Sequence, residues 1–306
     1  MTRWFLDSGA FSAARHGKPI VLDDYIRYIK RHRRHLEVYA NLDVIPTAAS
    51  GSEAAAKASW QNFKAMRAAG LEPMPVFHLG ESIKWLDRMV GADCSYIGLG
   101  GVARRHTRAQ RDSFKSCFKH IPSTVRVHGF GVTNAALLHE FPWATSDSVA
   151  WRLLAANGCF YLPMANGAGF RYADPPLDTA ISEREVGGRV VYRDDVHAGS
   201  RAAFQFFGPA VKRLATKYIT EELGLTPRQL MQSKGAREIA AIRYHLKVQS
   251  SVQRLRPNYY LYFGCDASRA TADLLMAEKV TGILVSFAAV SNVNLGKRIK
   301  ECCANG

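Results

Sequence analysis

The chain has 306 residues, 47% of them hydrophobic, and carries 41 Lys and Arg against 26 Asp and Glu, a formal net charge of +15. That length and apolar content suit one large domain, or one domain with an insertion, around a full core, and exclude a disordered or fibrous chain. No apolar run is long enough to span a bilayer and Met1-Thr2-Arg3 opens no signal sequence, so a cytoplasmic protein with no membrane partner is expected, while the basic excess favours a polyanion such as nucleic acid.

Arg3 to Leu6 is an apolar run of strand type that ends on Asp7, followed at once by the small turn Ser8-Gly9-Ala10. Leu22 to His35 predicts a helix ending in basic residues, and Val38 to Asp43 a second strand stopped by Pro46. A helix follows over about Glu53 to Ala69, with Ala56, Trp60, Phe63 and Met66 or Arg67 on its buried stripe and Gly70 as its cap. Pro73 to Phe77 is a third strand ending at His78. A helix near Ser82 to Val90, the strand Tyr96 to Leu99, and a basic helix from about Thr107 that buries Phe114 and Phe118 continue the alternation. Val125 to Gly131 is the fifth strand, Asn134 or Thr133 caps a short helix to Glu140, Ala144 to Asp147 is the sixth strand, and Val149 to Asn157 a helix closed by Gly158.

Two further strands, Tyr259 to Phe263 and Gly282 to Phe287, flank a helix over Ser268 to Val280. Strands alternating with helices imply a parallel sheet, and eight such units predict an α/β fold of the (β/α)8 TIM-like type, with its active site at the C-terminal strand ends. The expected organisation is barrel units one to six over 1-158, a basic, mainly helical insertion over 159-257 after the sixth unit, and barrel units seven and eight over 258-306. Within the insertion, Pro163 to Phe170 reads as a loop and the stretch around Val190-Val191-Tyr192 as a hairpin. From Arg201 to Arg256 basic residues far outnumber Glu221, Glu222 and Glu238, so Lys212, Arg213, Lys217, Arg243 and Lys247 are candidates to hold a phosphate backbone; a solvated helix face is the alternative.

Asp7 and Asp147 are the candidate catalytic pair, because carboxylates at the C-terminal ends of barrel strands project into the pocket and two of them can divide nucleophilic and acid/base work. An Asp in these settings is also a common cap. Asp43 before Pro46 offers two acceptors to an amidine-like edge, or forms a turn. The run Gly98-Leu99-Gly100-Gly101 lets backbone approach a ligand, and His78 and His128 stand at strand ends where histidines more often pack than catalyse. The cysteines Cys94, Cys117, Cys159, Cys265, Cys302 and Cys303 contain no C-x-x-C pair, so no disulfide framework or thiolate zinc site is expected.

Five ordered motifs carry a resemblance: Asp-Ser-Gly-Ala-Phe (7–11), Leu-Asp-Val-Ile-Pro (42–46), Ile-Gly-Leu-Gly-Gly (97–101), Gly-Phe-Gly (129–131) and Ser-Asp-Ser-Val-Ala-Trp (146–151). Together they resemble the tRNA-guanine transglycosylase superfamily and, within it, the 7-deazaguanine DNA transglycosylases of phages and bacterial DNA-modification clusters. The resemblance covers about the first half of the chain. It implies exchange of a guanine in double-stranded DNA for a free 7-deazaguanine such as 7-cyano-7-deazaguanine, with no cofactor. Asp147 would be the nucleophile at C1′ and Asp7 the general acid/base. Ser8, Asp43, His78, Gly100, Gly101 and His128 would line the base site, Asp43 reading N1 and the 2-amino group and the two glycines holding O6. The Cys-x-Cys-x-x-Cys zinc motif of the tRNA enzymes has no counterpart at Cys302-Cys303, so no metal is expected and the DNA branch is favoured. A tRNA-guanine transglycosylase, or a catalytically silent nucleic-acid-binding subunit of the same fold, is the alternative. An accessory protein or a homo-oligomer is compatible with either.

Overall fold

Residues i and i+2 of a strand share a face, so β1 (Arg3–Asp7) turns Arg3, Phe5 and Asp7 one way and Trp4 and Leu6 the other. The same alternation repeats along β2 (Val38–Tyr39), β3 (Val76–His78), β4 (Tyr96–Gly100), β5 (Arg126–Gly129), β6 (Thr145–Ser148), β7 (Tyr260–Cys265) and β8 (Gly282–Ser286). The computed structural model describes residues 3–46, 51–101, 108–166, 169–186, 189–192, 202–266 and 268–291. Thr107, Arg201, Cys302 and Cys303 lie outside them.

These strands form one curled, eight-stranded sheet in the order β2-β1-β8-β7-β6-β5-β4-β3, with every neighbouring pair parallel. The fold is therefore α/β and TIM-like, with strands running in sequence around the sheet. An isolated parallel bridge, Ala40↔Met74, joins the residues just after β2 to those just before β3. There Asn41 N–H donates to the Met74 carbonyl at 2.8 Å and Met74 N–H to that of Tyr39 at 3.0 Å. Phe5, Val38, Ala40, Met74, Val76, Tyr260, Tyr262 and Leu284 fill the concave side as one apolar cluster. Gly98 is small because the Phe130 ring lies 2.6 Å from where its Cβ would stand.

The alternating helices are α1 (Ala10–His16), α2 (Leu22–His32), α3 (Gly51–Ala68), α4 (Ile83–Val90), α5 (Arg108–His120), α6 (Ala135–Glu140) and α7 (Ala150–Ala156). Phe114 is buried on α5 as expected, whereas Phe118 is half-buried. Asn134 accepts from Leu137 N–H at 3.2 Å and is the cap of α6.

The chain divides into two compact units: Met1–Val132, Phe141–Ser148 and Asn258–Gly306 in the first, Thr133–Glu140 and Val149–Pro257 in the second. The second unit thus reaches beyond the expected 159-257 insertion. It takes in α6 and α7, which pack on the long helix α10 (Lys234–Gln253). After α7 it continues with strands: Cys159–Leu162 pairs antiparallel with Leu177–Ala180, which pairs parallel with Ala202–Ala203. The Pro163 to Phe170 loop is instead a short antiparallel pair, Met164–Asn166 with Gly169–Arg171, and the hairpin expected near Val190 is Glu183–Val186 with Arg189–Tyr192. Helices α8 (Pro209–Lys217) and α9 (Pro227–Gln232) then precede α10. Its core gathers Phe160, Leu162, Phe204, Tyr218, Leu223 and Leu230. Cys94, Cys117, Cys159 and Cys265 are buried free thiols, and among the described residues no helix is long and apolar enough to cross a membrane.

Candidate active site

The site belongs to the first unit and forms at the C-terminal strand ends. β1 delivers Asp7, and the chain then turns through Gly9 at φ +79° into α1. In that turn Gly9 N–H donates to Asp7 Oδ2 at 3.2 Å. Ser8 accepts from Ala10 N–H at 3.2 Å and donates its hydroxyl to Asp43 Oδ1 at 2.7 Å. A side chain at Gly9 would bring its Cβ to 2.5 Å from Ser286 Oγ at the end of β8.

The strand expected to run to Asp43 ladders only over Val38–Tyr39. Beyond Ala40, side chains of α3 supply the partners that a ladder would have supplied. Ser59 Oγ accepts from Val44 N–H at 2.8 Å, and Asn62 Nδ2 donates to the Leu42 carbonyl at 2.8 Å. Asp43 is fixed between these anchors, and its Oδ2 meets His78 Nε2 at 3.0 Å.

His78 ends β3. Its Nδ1 lies 3.2 Å from Glu81 Oε1, and its backbone N–H donates to Glu81 Oε2, also at 3.2 Å. Both ring nitrogens face carboxylates, so both carry protons. Burial alone would lower the imidazole pKa, but the bonds to Asp43 and Glu81 outweigh it and raise it to about 10. His78 is thus a fixed cation that spends both N–H groups on protein. Gly100, the end of β4, pairs with it in register and is buried, whereas Gly101 is exposed at φ +74°.

Asp147 on β6 is 7% exposed. Its Oδ1 accepts from Gly131 N–H at 2.8 Å and faces His128 Nε2 at 3.3 Å. His128 was expected to touch substrate. Instead it is fully buried, with Nδ1 on Thr145 Oγ1 at 2.7 Å and its ring packed on Phe5 and Phe130, so it offers no atom to a ligand. Burial lowers its pKa against the opposing pull of Asp147.

Asp7 is pushed up to about 7, first by burial and then by the charges of Asp43 and Asp147, against the N–H groups of Gly9 and Ser8. The sheet therefore brings Asp7, Ser8, Asp43, His78, Gly100 and Asp147 to one set of strand ends. Glu81 is the residue that sequence reasoning passed over; its only signal is its position three residues after His78, within one tight turn. Among the described residues no group of three or more His, Cys, Asp or Glu side chains is arranged to hold a metal ion.

In the second unit, Lys212, Arg213 and Lys217 are exposed on α8 along an open groove that includes Phe207. Arg243 and Lys247 do not join them. Arg243 donates to the Leu223 carbonyl at 2.5 Å, and Lys247 bonds Glu222 at 2.5 Å with its ammonium 5.8 Å from the Tyr172 ring centre, so both are engaged in holding the unit together.

Comparison of the chain with protein-family models and with curated proteins gives no match.

Proposed function

We propose that the protein is a DNA-guanine transglycosylase that exchanges guanine for a 7-deazaguanine through a covalent aspartyl glycosyl-enzyme. The observation that carries this reading is a division of labour between two carboxyls at the same strand ends. Asp7 binds a proton near neutral pH, and Asp147 is held by a backbone N–H and a histidine. A displacement at C1′ needs both, as in retaining glycosidases, where one carboxylate attacks and a second group handles the leaving-group proton. Of the five ordered motifs that resemble the transglycosylases, the first and last carry Asp7 and Asp147, the fourth carries Gly131, and the second and third carry Asp43 and Gly100.

In the first half-reaction Asp147 gives an electron pair to C1′. The C1′–N9 bond breaks, its pair leaves with guanine, and Asp7 supplies the N9 proton. In the second, Asp7 takes the N9 proton of the incoming 7-deazaguanine, N9 attacks C1′, and the ester pair returns to Asp147. Asp43 keeps lone pairs for the N1-H and 2-amino edge, because Ser8 and His78 each occupy one position on a carboxylate that has about four. His78, whose N–H groups are spent, orients Asp43 and does not read the base itself. The Ala40–Met74 bridge supports closure of the curled sheet into a full (β/α)8 barrel, whose C-terminal face is where such chemistry sits. A target base must leave its stack to reach such a pocket, and the exposed Lys212, Arg213 and Lys217, the last beside Glu221 at 3.8 Å, are the candidates to hold a phosphate backbone.

The test is incubation of the purified chain with double-stranded DNA and, separately, tRNA, each with radiolabelled guanine or 7-cyano-7-deazaguanine. Label in DNA is the expected result. Asp147→Ala should lower incorporation at least about 10⁴-fold and abolish any trapped protein–nucleic acid adduct. Label in tRNA alone would transfer the reading to the tRNA enzymes, and label in neither would overturn it.

A further inference from the structure

The second support of Asp147 is itself supported. Thr145 and Asp147 alternate on one face of β6, and the β5–β6 register sets His128 directly against Thr145. Tyr96 opens β4, and its hydroxyl bonds Thr145 Oγ1. A continuous chain of side-chain contacts thus runs Tyr96, Thr145, His128, Asp147 along the concave face of the sheet.

Hydrogen-bond chemistry fixes the direction of every link. A carboxylate only accepts, so His128 Nε2, 3.3 Å from Asp147 Oδ1, carries a proton. A fully buried imidazole between Phe5 and Phe130 holds one proton, not two, which makes Nδ1 an acceptor. Thr145 therefore spends its O–H on Nδ1 at 2.7 Å. Its oxygen is then left to accept, and Tyr96 donates. Any other arrangement sets two donors or two lone pairs against each other in a buried place, where an unmet group is destabilising.

We propose that Tyr96 and Thr145 are positioning residues that lock His128 as the Nε2–H tautomer, and that His128 with Gly131 N–H captures Asp147 Oδ1 so that Oδ2 is the attacking atom. Among the described residues no hydrogen-bond donor is recorded for Oδ2, whereas Oδ1 has two. When Oδ2 bonds C1′, Oδ1 becomes the ester carbonyl and keeps both donors. The same contacts that aim the nucleophile then hold the covalent intermediate. The assignment of Oδ2 rests on the transglycosylase reading; the tautomer does not.

Thr145→Val tests the relay, because valine keeps the shape and removes the hydroxyl. The tautomer of His128 is read by nitrogen-15 histidine NMR, with its resonances assigned by their loss in His128→Asn or, if that variant does not fold, by their shift in Thr145→Ser. The wild type is expected to show Nε2–H at neutral pH. In Thr145→Val Asp147 still keeps the proton on Nε2, but Nδ1 loses its hydrogen bond and its resonance should shift accordingly, kcat for base exchange should drop about 10–100-fold, and KM for the nucleic acid should stay within about twofold. Thr145→Ser should restore both, and Tyr96→Phe should give a smaller loss of kcat. A wild-type ring protonated at Nδ1, or unchanged kcat in a folded Thr145→Val, would overturn the proposal. An Nε2–H ring in a protein that labels neither DNA nor tRNA would uphold the relay and sink the transglycosylase reading instead.

Discussion

At the N-terminal ends of the strands, Arg3 donates to Glu37 at 2.6 Å and to Tyr260 at 2.8 Å, and Tyr260 donates to Glu37 at 2.7 Å. Arg126 lies 4.4 Å from the Tyr96 ring centre. At the C-terminal ends, Asp43 and Glu81 hold one cation, His78, while Asp7 feels the charges of Asp43 and Asp147. The first end matches positive with negative charge and leaves little for a ligand to satisfy. The second holds more carboxylates than cations at small separations, and Asp7 shows the cost in its raised proton affinity. Charge left uncompensated in this way is a mark of a working site, since a fold under selection for stability alone would neutralise it.

The largest effect should come from removing the raised carboxyl. Asp7→Asn should lower kcat for base exchange about 10²–10⁴-fold while leaving nucleic-acid binding in place. Stability should move the other way. Asp7 binds its proton more tightly folded, at about 7, than at its ordinary 3.8, so its favourable contribution is complete at acid pH and is lost as pH rises through 7. Asp7→Asn is therefore expected to melt at a higher temperature than wild type at pH 8, with the gap closing toward pH 4. A variant less stable at pH 8 would show that Asp7 is compensated in a way its neighbours do not provide.

His78 comes next, because it is the single cation holding two of the carboxylates. His78→Gln should cost about 3 kcal/mol near neutral pH, the usual price of removing one member of a buried ionic group. The sign of the pH dependence follows from a pKa raised from 6.5 to about 10. The stabilisation is fully present below pH 6.5 and disappears as pH rises through 10. Denaturant melts of both proteins across that window should converge at the alkaline end. A pH-independent difference would mean that His78 acts through packing alone.

How much of this was legible before the structure depends on the range of the interaction. Asp7 and Asp147 could be placed at strand ends because a period of two and a following turn are local signals, and the parallel sheet followed from the alternation of strands with helices. Contacts made across registers were not legible. His128 looks like a rim residue in Val127-His128-Gly129, and only its pairing with Thr145 buries it. Glu81 is unremarkable until His78 is seen to turn toward it. Arg243 and Lys247 read as free cations because their partners, the Leu223 carbonyl and Glu222, lie 20 and 25 residues away in sequence. The short pair at Met164–Asn166 and Gly169–Arg171 was hidden because Pro163, Asn166 and two glycines give that stretch the composition of a loop.

The smallest effect should come from the balanced end, and it bounds the relay. Glu37 accepts from Arg3, Tyr260 and, at 3.4 Å, Tyr262. Glu37→Gln replaces one carboxylate oxygen by an NH2 group, whose best place is toward Tyr262 with that hydroxyl turned to accept, and it takes the negative charge from Arg3. Because that pair is partly solvated, with Arg3 about half exposed, the loss should be about 1–2 kcal/mol of stability. Base exchange should be unchanged, since the relay begins at Tyr96 and the Arg126 contact to Tyr96 is a ring stack that carries no hydrogen-bond polarity. A tenfold fall in kcat in a folded Glu37→Gln protein would mean that the polar chain runs unbroken from Glu37 through Tyr260, Arg126 and Tyr96 to Asp147. The two ends of the strands would then be a single electrostatic unit, and the matched charges at one end would be part of what holds the nucleophile at the other.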